Sequence, residues 1–453
     1  MTTKHNRPLA AIILAAGQGT RMKSVLHKVL HPIAGKPMLH HLLDSVAALG
    51  VERTVVVVGA GGEQVEASVA GRDVSIAWQR EQLGTGHAVA QAKDALGGFA
   101  GDVLILYGDV PLVSAATLQR MVDRLNFGIE PRCVVLGFRP DDAGAYGRIL
   151  AGNDGAIVKM VEYKDADEAE RAAPLCNSGL MAARASDLFV LLDSIGNDNA
   201  AGEYYLPDIV MLPGQSSAVI EVEDASEVAG VNSRAELAGL EGVWQAKRRT
   251  AAMADGVTLI APETVWFSHD TAIARDVTVE PNVWFGPGVS IASGATIHAF
   301  SHIEGASIGA HCEVGPFARL RPGTVLEEKA KIGNFVETKK AHLGKGAKAN
   351  HLSYIGDAYV GAGANIGAGT ITCNYDGYFK YQTVIGEGAF IGSNTALVAP
   401  VTIGAGAIVG AGSTITADVE PDALALVRPP QQAKLGWAAR FRAVMGAKKA
   451  AGK

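Results

Sequence analysis

The chain has 453 residues, too many for one ordinary core, so two or three domains are expected. Hydrophobic residues make up 48% and charged residues 19%, the composition of a soluble globular protein. A formal net charge of −6 argues against broad electrostatic binding to nucleic acid or an anionic membrane.

The N-terminus opens with Lys4 and Arg7 ahead of the apolar Leu9 to Ala16, as a signal peptide can. The residues that follow, Gly-Gln-Gly-Thr-Arg-Met-Lys, read instead as a ligand loop. No apolar run reaches the ~18 residues that a membrane span needs. The four cysteines (Cys133, Cys176, Cys312, Cys373) form no CxxC pair, so neither a zinc site nor a disulfide framework is signalled. A cytoplasmic protein is expected, with no nucleic-acid and no membrane partner.

Residues 10–16 are continuously apolar and predict a buried parallel strand. Further strands are predicted at 54–58, 74–78, 103–107 and 133–138, with a helix from Met38 to Leu49 stopped by Gly50. This alternation implies an α/β sheet, whose ligands sit outside the carboxyl ends of its strands. The first such end carries Gly17-Gln18-Gly19-Thr20-Arg21-Met22, with Lys28 shortly after. Glycines let backbone N–H groups approach phosphate oxygens, and Arg21 and Lys28 would neutralise their charge. The spacing is neither the Walker pattern nor the full dinucleotide fingerprint, and a tight turn with exposed cations would look the same. The end of the strand at 103–107 carries Tyr107-Gly108-Asp109. Its carboxylate is placed either to hold Mg²⁺ on a polyphosphate or to cap the next helix.

With these residues in view, Leu14-Ala15-Ala16-Gly17-Gln-Gly-Thr-Arg21-Met resembles the signature loop of the sugar-nucleotide pyrophosphorylases. Gln79 with Gly84 and Thr85 resembles the family's uracil-binding segment, and Asp109 its metal-binding aspartate. Gly147, Glu162 and Asn177 resemble its sugar-binding set, and Asn232 the second metal ligand. His27 is a departure, standing where the family usually has Pro before the lysine. The resemblance implies transfer of a nucleotidyl group from UTP to a sugar 1-phosphate. Catalysis would then be positioning plus charge neutralisation by Mg²⁺, Arg21 and Lys28.

Ser233 and Glu236 have capping-box spacing, and a linker helix is predicted over 233–253. Beyond it an aliphatic residue recurs every sixth position: Ile385, Ile391, Leu397, Ile403, Val409 and Ile415. No α-helix explains that period, whereas a short strand plus a tight turn, repeated as a parallel β-helix, does. The beat extends back to about residue 254, slips by one between Ile303 and Ile308, and is ragged from 333 to 384. Arg321, Lys339, His351, Tyr354, Asn365, Asn374 and Tyr375 fall in or beside the ragged part. His351 is either a satisfied structural histidine or a base suited to amine acetylation near neutral pH, with Arg321 and Lys339 as cations for a phosphate.

The block running from Arg-Leu-Arg321-Pro-Gly to Asn374-Tyr-Asp-Gly closely resembles the acetyltransferase half of the bifunctional N-acetylglucosamine-1-phosphate uridyltransferase/glucosamine-1-phosphate acetyltransferase family. That resemblance covers essentially the whole chain. It implies an α/β architecture of three parts: a Rossmann-like nucleotidyltransferase domain (1–232), the linker helix (233–253) and a left-handed parallel β-helix of hexapeptide repeats with a C-terminal tail (254–453). The implied substrates are UTP, glucosamine 1-phosphate, N-acetylglucosamine 1-phosphate and acetyl-CoA, and the implied assembly is a homotrimer. His351 would deprotonate the 2-amino group, while Arg321, Lys339, Tyr354 and Asn365 would hold the acceptor. Ala368, Asn374, Tyr375, Ser393, Ala411 and Arg428 would line the acetyl-CoA site. Two weaker alternatives are a single-activity nucleotidyltransferase with a regulatory β-helix and a non-enzymatic scaffold of the same build. The basic tail (Arg440, Arg442, Lys448, Lys449, Lys453) is read as solvated and partly disordered.

Overall fold

A computed structural model describes residues 7–127, 130–214 and 216–452. The chain forms two compact units, Met1–Arg248 and Arg249–Lys453.

The first unit is built on a sheet whose strands we number β1 (Leu9–Ala15), β2 (Arg53–Val58), β3 (Ser75–Trp78), β4 (Asp102–Tyr107), β5 (Cys133–Phe138), β6 (Arg148–Ala151), β7 (Ile157–Val161), β8 (Cys176–Arg184) and β9 (Ala218–Glu221). Their order is β9-β5-β8-β4-β1-β2-β3, with β6 and β7 attached beside β8. β1 pairs in parallel with β2 on one side and β4 on the other, so its continuous apolarity follows from burial on both faces. Ile12 contributes to one face and Ile13 to the other, as the two-residue period of a strand requires. Helices α1 (Met38–Ala47), α2 (Gly62–Ser68) and α4 (Ala115–Leu125) cover the Ile13 face, and α3 (Thr85–Ala90) the Ile12 face. β8 runs antiparallel between β4 and β5, a reversal that the alternating pattern does not reveal.

Helix α5 (Arg234–Ala254) carries the expected capping box, with Glu236 N–H donating to Ser233 Oγ (3.2 Å) and Ser233 N–H donating to Glu236 Oε2 (3.0 Å). Leu240 and Trp244 pack with Met22, Ile33 and Met38, so the first half of this helix belongs to a core rather than acting as a free spacer.

The second unit is a solenoid of parallel strands. One wall is a ladder running Thr258, Thr278, Thr296, Glu313, Lys331, Lys348, Asn365, Phe390, Ile408, Leu424, each strand hydrogen-bonded to the next. Two further walls share a second sheet, because the strands Glu337–Leu343 and Tyr354–Val360 run around the corner between them. A coil spans eighteen residues from Phe390 to Ile408 but seventeen from Thr296 to Glu313, which accounts for the slip in the beat.

The stretch from 333 to 384 is more regular than its sequence suggests. Inward positions there are held by Thr338, Ala349, Ile355, Val360, Ile366 and Thr372, all buried, and the ladders continue through them. Small or polar residues on the beat hide it. Thr338 is accommodated because its hydroxyl pairs with Thr324 at 2.9 Å inside the coil. Only the excursion Asn374–Tyr381 breaks the walls, and it closes on itself through a bridge between Tyr375 and Lys380. The basic tail, of which Lys453 lies outside the described residues, is exposed as expected, but Trp437–Ala451 forms a helix, α6, where partial disorder is expected from sequence. Its Ala, Arg, Lys and Met content favours the helix without any packing.

Ile391 is fully buried between Ile366 and Val409 of the same ladder. Ile391→Ala is expected to destabilise the solenoid by about 2–5 kcal/mol, read as a lowered urea midpoint of the β-sheet circular-dichroism signal.

Candidate active sites

The first site forms where β1, β4 and the segment after β3 end together. A cavity of about 300 Å³ is lined by Leu14, Ala15, Ala16 and Gly17 from the β1 end, Gln79, Gln82, Gly84 and Thr85 from the loop after β3, Tyr107 and Asp109 from the β4 end, and Lys28. Gly108 N–H donates to Leu14 O at 2.9 Å, fastening the two strand ends together. Gln79 is buried, and its side-chain amide donates to Gly84 O at 3.0 Å, which shapes the loop before α3.

Lys28 reaches this floor because Gly19 allows it. Gly19 sits at φ +61°, and a Cβ there would lie 2.5 Å from the Lys28 Cβ. The Lys28 ammonium forms an ion pair with Asp109 and donates to Asn232 Oδ1 at 3.2 Å. Asn232 is brought in by Val231 N–H, which donates to Asp109 O at 3.0 Å. Three residues far apart in sequence thus converge on one point. A carboxylate and an amide oxygen facing one cation form the donor set a hard divalent ion takes, with phosphate and water completing it. Asp109 and Asn232 therefore fit a Mg²⁺ site.

A second cluster lies beside Tyr107. Asn177 N–H donates to Gly147 O at 2.9 Å, and Gly147 leaves just enough room for the Glu162 carboxylate, 3.3 Å from where a Cβ would stand. Burial raises the Glu162 pKa, and the neighbouring Asp208 and Asp165 add to it. The Tyr107 phenol is pushed up by burial as well, opposed by a hydrogen bond with Thr85. Arg21 stands apart: it is exposed on the turn Thr20–Met22 and does not line the cavity. Gln82 and Glu203 line it without having been singled out from sequence. Gln82 also donates to Ala16 O at 2.9 Å.

The second site lies along one corner of the solenoid. Asn334 is paired with His351 in register. Gly369 N–H donates to His351 O (3.4 Å), Asn394 N–H to Ala368 O (2.7 Å) and Gly412 N–H to Ser393 O (2.8 Å). Asn334, His351, Ala368, Ser393 and Ala411 therefore occupy the same corner of successive coils, about 4.8 Å apart per coil. Arg428 closes the row by donating to Ala411 O at 2.6 Å. His351 Nδ1 lies 2.6 Å from Asn334 Oδ1. An acceptor there requires the proton on Nδ1 and leaves Nε2 with a free lone pair, the tautomer a general base needs.

On the adjoining wall Arg321 pairs with Glu337 at 2.9 Å, and Glu337 is in register with Tyr354. Lys339 has its pKa lowered, chiefly by the Lys380 ammonium beside it and further by burial and Arg321, with Asp357 opposing. Asn374 is buried, and its amide donates to Asp357 Oδ2 at 2.5 Å. Asn365 begins the next wall strand, paired with Lys348 and Phe390. Tyr375 is exposed at the excursion, its hydroxyl donating to Gly377 O. Lys380, like Asn334, is not singled out from sequence: it lies in the excursion opposite Lys339, and only the fold brings them together. Mutually repelling ammonium groups make a place for an anion.

Residues 11–155 match the MobA-like NTP transferase domain family, and residues 382–417 match the bacterial transferase hexapeptide family of six repeats. A protein of Rhizorhabdus wittichii named Bifunctional protein GlmU is 69% identical over 451 residues, covering 99% of this chain and 100% of its own. Proteins of the same name from Sphingopyxis alaskensis (66% over 449 residues, 98% and 99% covered) and Zymomonas mobilis (59% over 442 residues, 96% and 98% covered) align as fully. The chain belongs to the GlmU family. It is a bifunctional transferase of UDP-N-acetylglucosamine synthesis, with a uridyltransferase and an acetyltransferase activity. No helix among the described residues is long and apolar enough to cross a membrane.

The carboxylate of Glu162 has a raised pKa, so ionising it costs the folded state more than the unfolded one. The contribution of Glu162 to stability is full below the unfolded pKa of about 4.3 and is lost as pH rises through the raised folded value. Glu162→Gln is expected to melt higher than wild type at pH 7 by differential scanning calorimetry, with the gap closing below about pH 4.

Proposed function

We propose that the cavity at the ends of β1 and β4 carries uridylyl transfer from UTP to N-acetylglucosamine 1-phosphate, and that the corner row containing His351 carries acetyl transfer from acetyl-CoA to glucosamine 1-phosphate. The observation that carries this reading is the convergence, in each unit, of chemically matched residues from distant points of the chain. Lys28, Asp109 and Asn232 meet in one unit, and His351 stands in line with Ala368, Ser393 and Ala411 in the other. The uridyltransferase parts are proposed to lie within 1–232 and the acetyltransferase parts within 254–453, joined by the helix 233–253.

In the first site Leu14 to Gly17 would cradle the nucleotide, and Gln79, Gly84 and Thr85 would read its base. Gly147, Glu162 and Asn177, with Tyr107 and Gly108 beside them, would hold the acetylated sugar. Asp109 and Asn232 would hold Mg²⁺, which when bound supplies charge neutralisation at the phosphates. Lys28 would stabilise charge on the transferring phosphate, and Arg21 would approach from the exposed turn. The sugar phosphate oxygen attacks the α-phosphorus and pyrophosphate leaves, so no protein nucleophile is needed.

In the second site Nε2 of His351 would take a proton from the 2-amino group as the amine attacks the thioester carbonyl, and the CoA thiolate leaves. Arg321, Lys339 and Lys380 would hold the sugar phosphate, with Tyr354 and Asn365 shaping its pocket. Asn374, Tyr375, Ala368, Ser393, Ala411 and Arg428 would accommodate the coenzyme. Small residues at 368, 393 and 411 leave room along the corner, and Arg428 offers a cation for a CoA phosphate.

A homotrimer is proposed for this chain. Phe300, Phe317 and Phe335 stack at 5.0 and 5.1 Å along the corner one position beyond the row of the second site, and each is about half exposed. A continuous aromatic ridge of that kind is surface for a second copy to cover. A cytoplasmic location is proposed because nucleotide, sugar phosphate and coenzyme A substrates are intracellular and all four cysteines are free thiols.

Assays of both half-reactions on purified variants test the assignment of roles. Asp109→Ala is expected to abolish uridylyl transfer and spare acetyl transfer, and His351→Ala to do the reverse. Loss of both activities in either variant, or acetyl transfer undiminished without His351, overturns it. Light scattering is expected to give three times the chain mass for wild type and a smaller assembly for Phe317→Asp.

A further inference from the structure

Lys28 sits at the end of a surface loop, and something must hold that loop still. Residues Lys23 to Leu26 are exposed, Val25 at 96%, whereas His27 is buried and Lys28 has only 12% of its side chain in solvent. The chain therefore dives from open solvent into the cavity within two residues. One side chain meets the loop at that point. Gln64 Oε1 accepts the His27 N–H at 3.0 Å, and Gln64 Nε2 donates to Val25 O at 3.0 Å. Both ends of one planar amide thus grip the backbone two residues apart, immediately before Lys28.

Gln64 is itself on a well-anchored element. It lies in the first turns of α2, which leaves β2 through Gly59 and Gly62. A Cβ at Gly59 would lie 2.6 Å from Ala16 O, and one at Gly62 would lie 2.7 Å from the Val58 side chain. The α2 turn is therefore seated directly on the β1 end that forms the cavity floor. Gln64 transfers that reference frame to the Lys28 loop.

We infer that Gln64 is a positioning residue for uridylyl transfer, acting through Lys28 by clamping Val25 and His27. The inference rests on the role of Lys28 proposed above. Two hydrogen bonds to an exposed loop just before that cation fix where its ammonium waits, and misplacement of such a group by an ångström lowers the chemical step.

The experiment is a double-mutant cycle on the full-length enzyme, measuring kcat and KM for uridylyl transfer, with acetyl transfer as the internal control. Gln64→Ala is expected to lower kcat for uridylyl transfer about tenfold, equivalent to about 1.4 kcal/mol, with KM for N-acetylglucosamine 1-phosphate and the acetyl transfer rate unchanged. In a Lys28→Ala background the same substitution is expected to have no further effect. Gln64→Glu keeps the acceptor for His27 and loses the donor to Val25, so its kcat should lie between those of Ala and wild type. An equal loss in both backgrounds marks a merely structural role and overturns the inference, as does a Gln64→Glu rate outside that interval. A silent Gln64→Ala beside a crippled Lys28→Ala overturns it while leaving the proposed role of Lys28 intact. A fully active Lys28→Ala instead overturns that role.

Discussion

Parallel strands paired in register bring residues that are distant in sequence to the same height, and both sites in this chain are built from that consequence. In the first unit β1 is flanked by β2 and β4 with all three pointing the same way, so their loops emerge at one edge. Gly17, Gln79 and Asp109 are neighbours for that reason alone. In the second unit each coil repeats the one before it, so Asn334, His351, Ala368, Ser393 and Ala411 form a straight row. A shift of one residue in any coil would turn its row member inward and an inward aliphatic outward. The six-residue beat of buried Ile, Val and Leu guards against that shift.

The same dependence explains what the sequence could and could not disclose. Strands with buried aliphatic residues on every beat, such as Ile385 to Ile415, are legible because hydrophobic burial writes itself directly into composition. The coils around Thr338 and Thr372 are not, because a threonine is kept inside by a partner that only the fold supplies. Thr372 Oγ1, for instance, accepts the Gly356 N–H at 2.8 Å. Glycine loops, Asp109 and Asn232 could be picked out by their place in a recognisable motif. Lys380 could not, since its importance lies in facing Lys339 across an excursion with no period of its own. The antiparallel direction of β8 was equally hidden, for strand patterning carries no sign of direction.

His27 illustrates the difference between a motif and the physics beneath it. Its residue type departs from the pattern that the sequence otherwise follows, and sequence alone leaves open how stiff the loop is. The structure shows φ of −57° at His27, within the range a proline ring imposes, reached here without the ring. The backbone N–H that a proline would lack is taken by Gln64. Desolvation by burial lowers the pKa of the imidazole, the Lys28 ammonium and His31 add to this, and the neutral ring is favoured next to Lys28. A neutral buried ring adds bulk to the turn without adding charge.

On the proposed reading the two sites would meet their phosphates with different electrostatics. In the solenoid Lys339 and Lys380 face each other, with Arg321 nearby though paired with Glu337, and the lowered pKa of Lys339 records chiefly the repulsion of Lys380. An anion relieves that repulsion on arrival, so on the proposed reading a monoester phosphate needs no accompanying cation there. In the first unit Lys28 is already matched by Asp109, and the pair offers a triphosphate almost no net charge. A nucleoside triphosphate carries several negative charges, so on the proposed reading Mg²⁺ held by Asp109 and Asn232 would supply the charge neutralisation that this pair lacks. Lys28 would stand beside those phosphates as the chain's own cation. The ion pair with Asp109 holds the ammonium at the cavity, so the lysine's place there does not depend on a bound nucleotide.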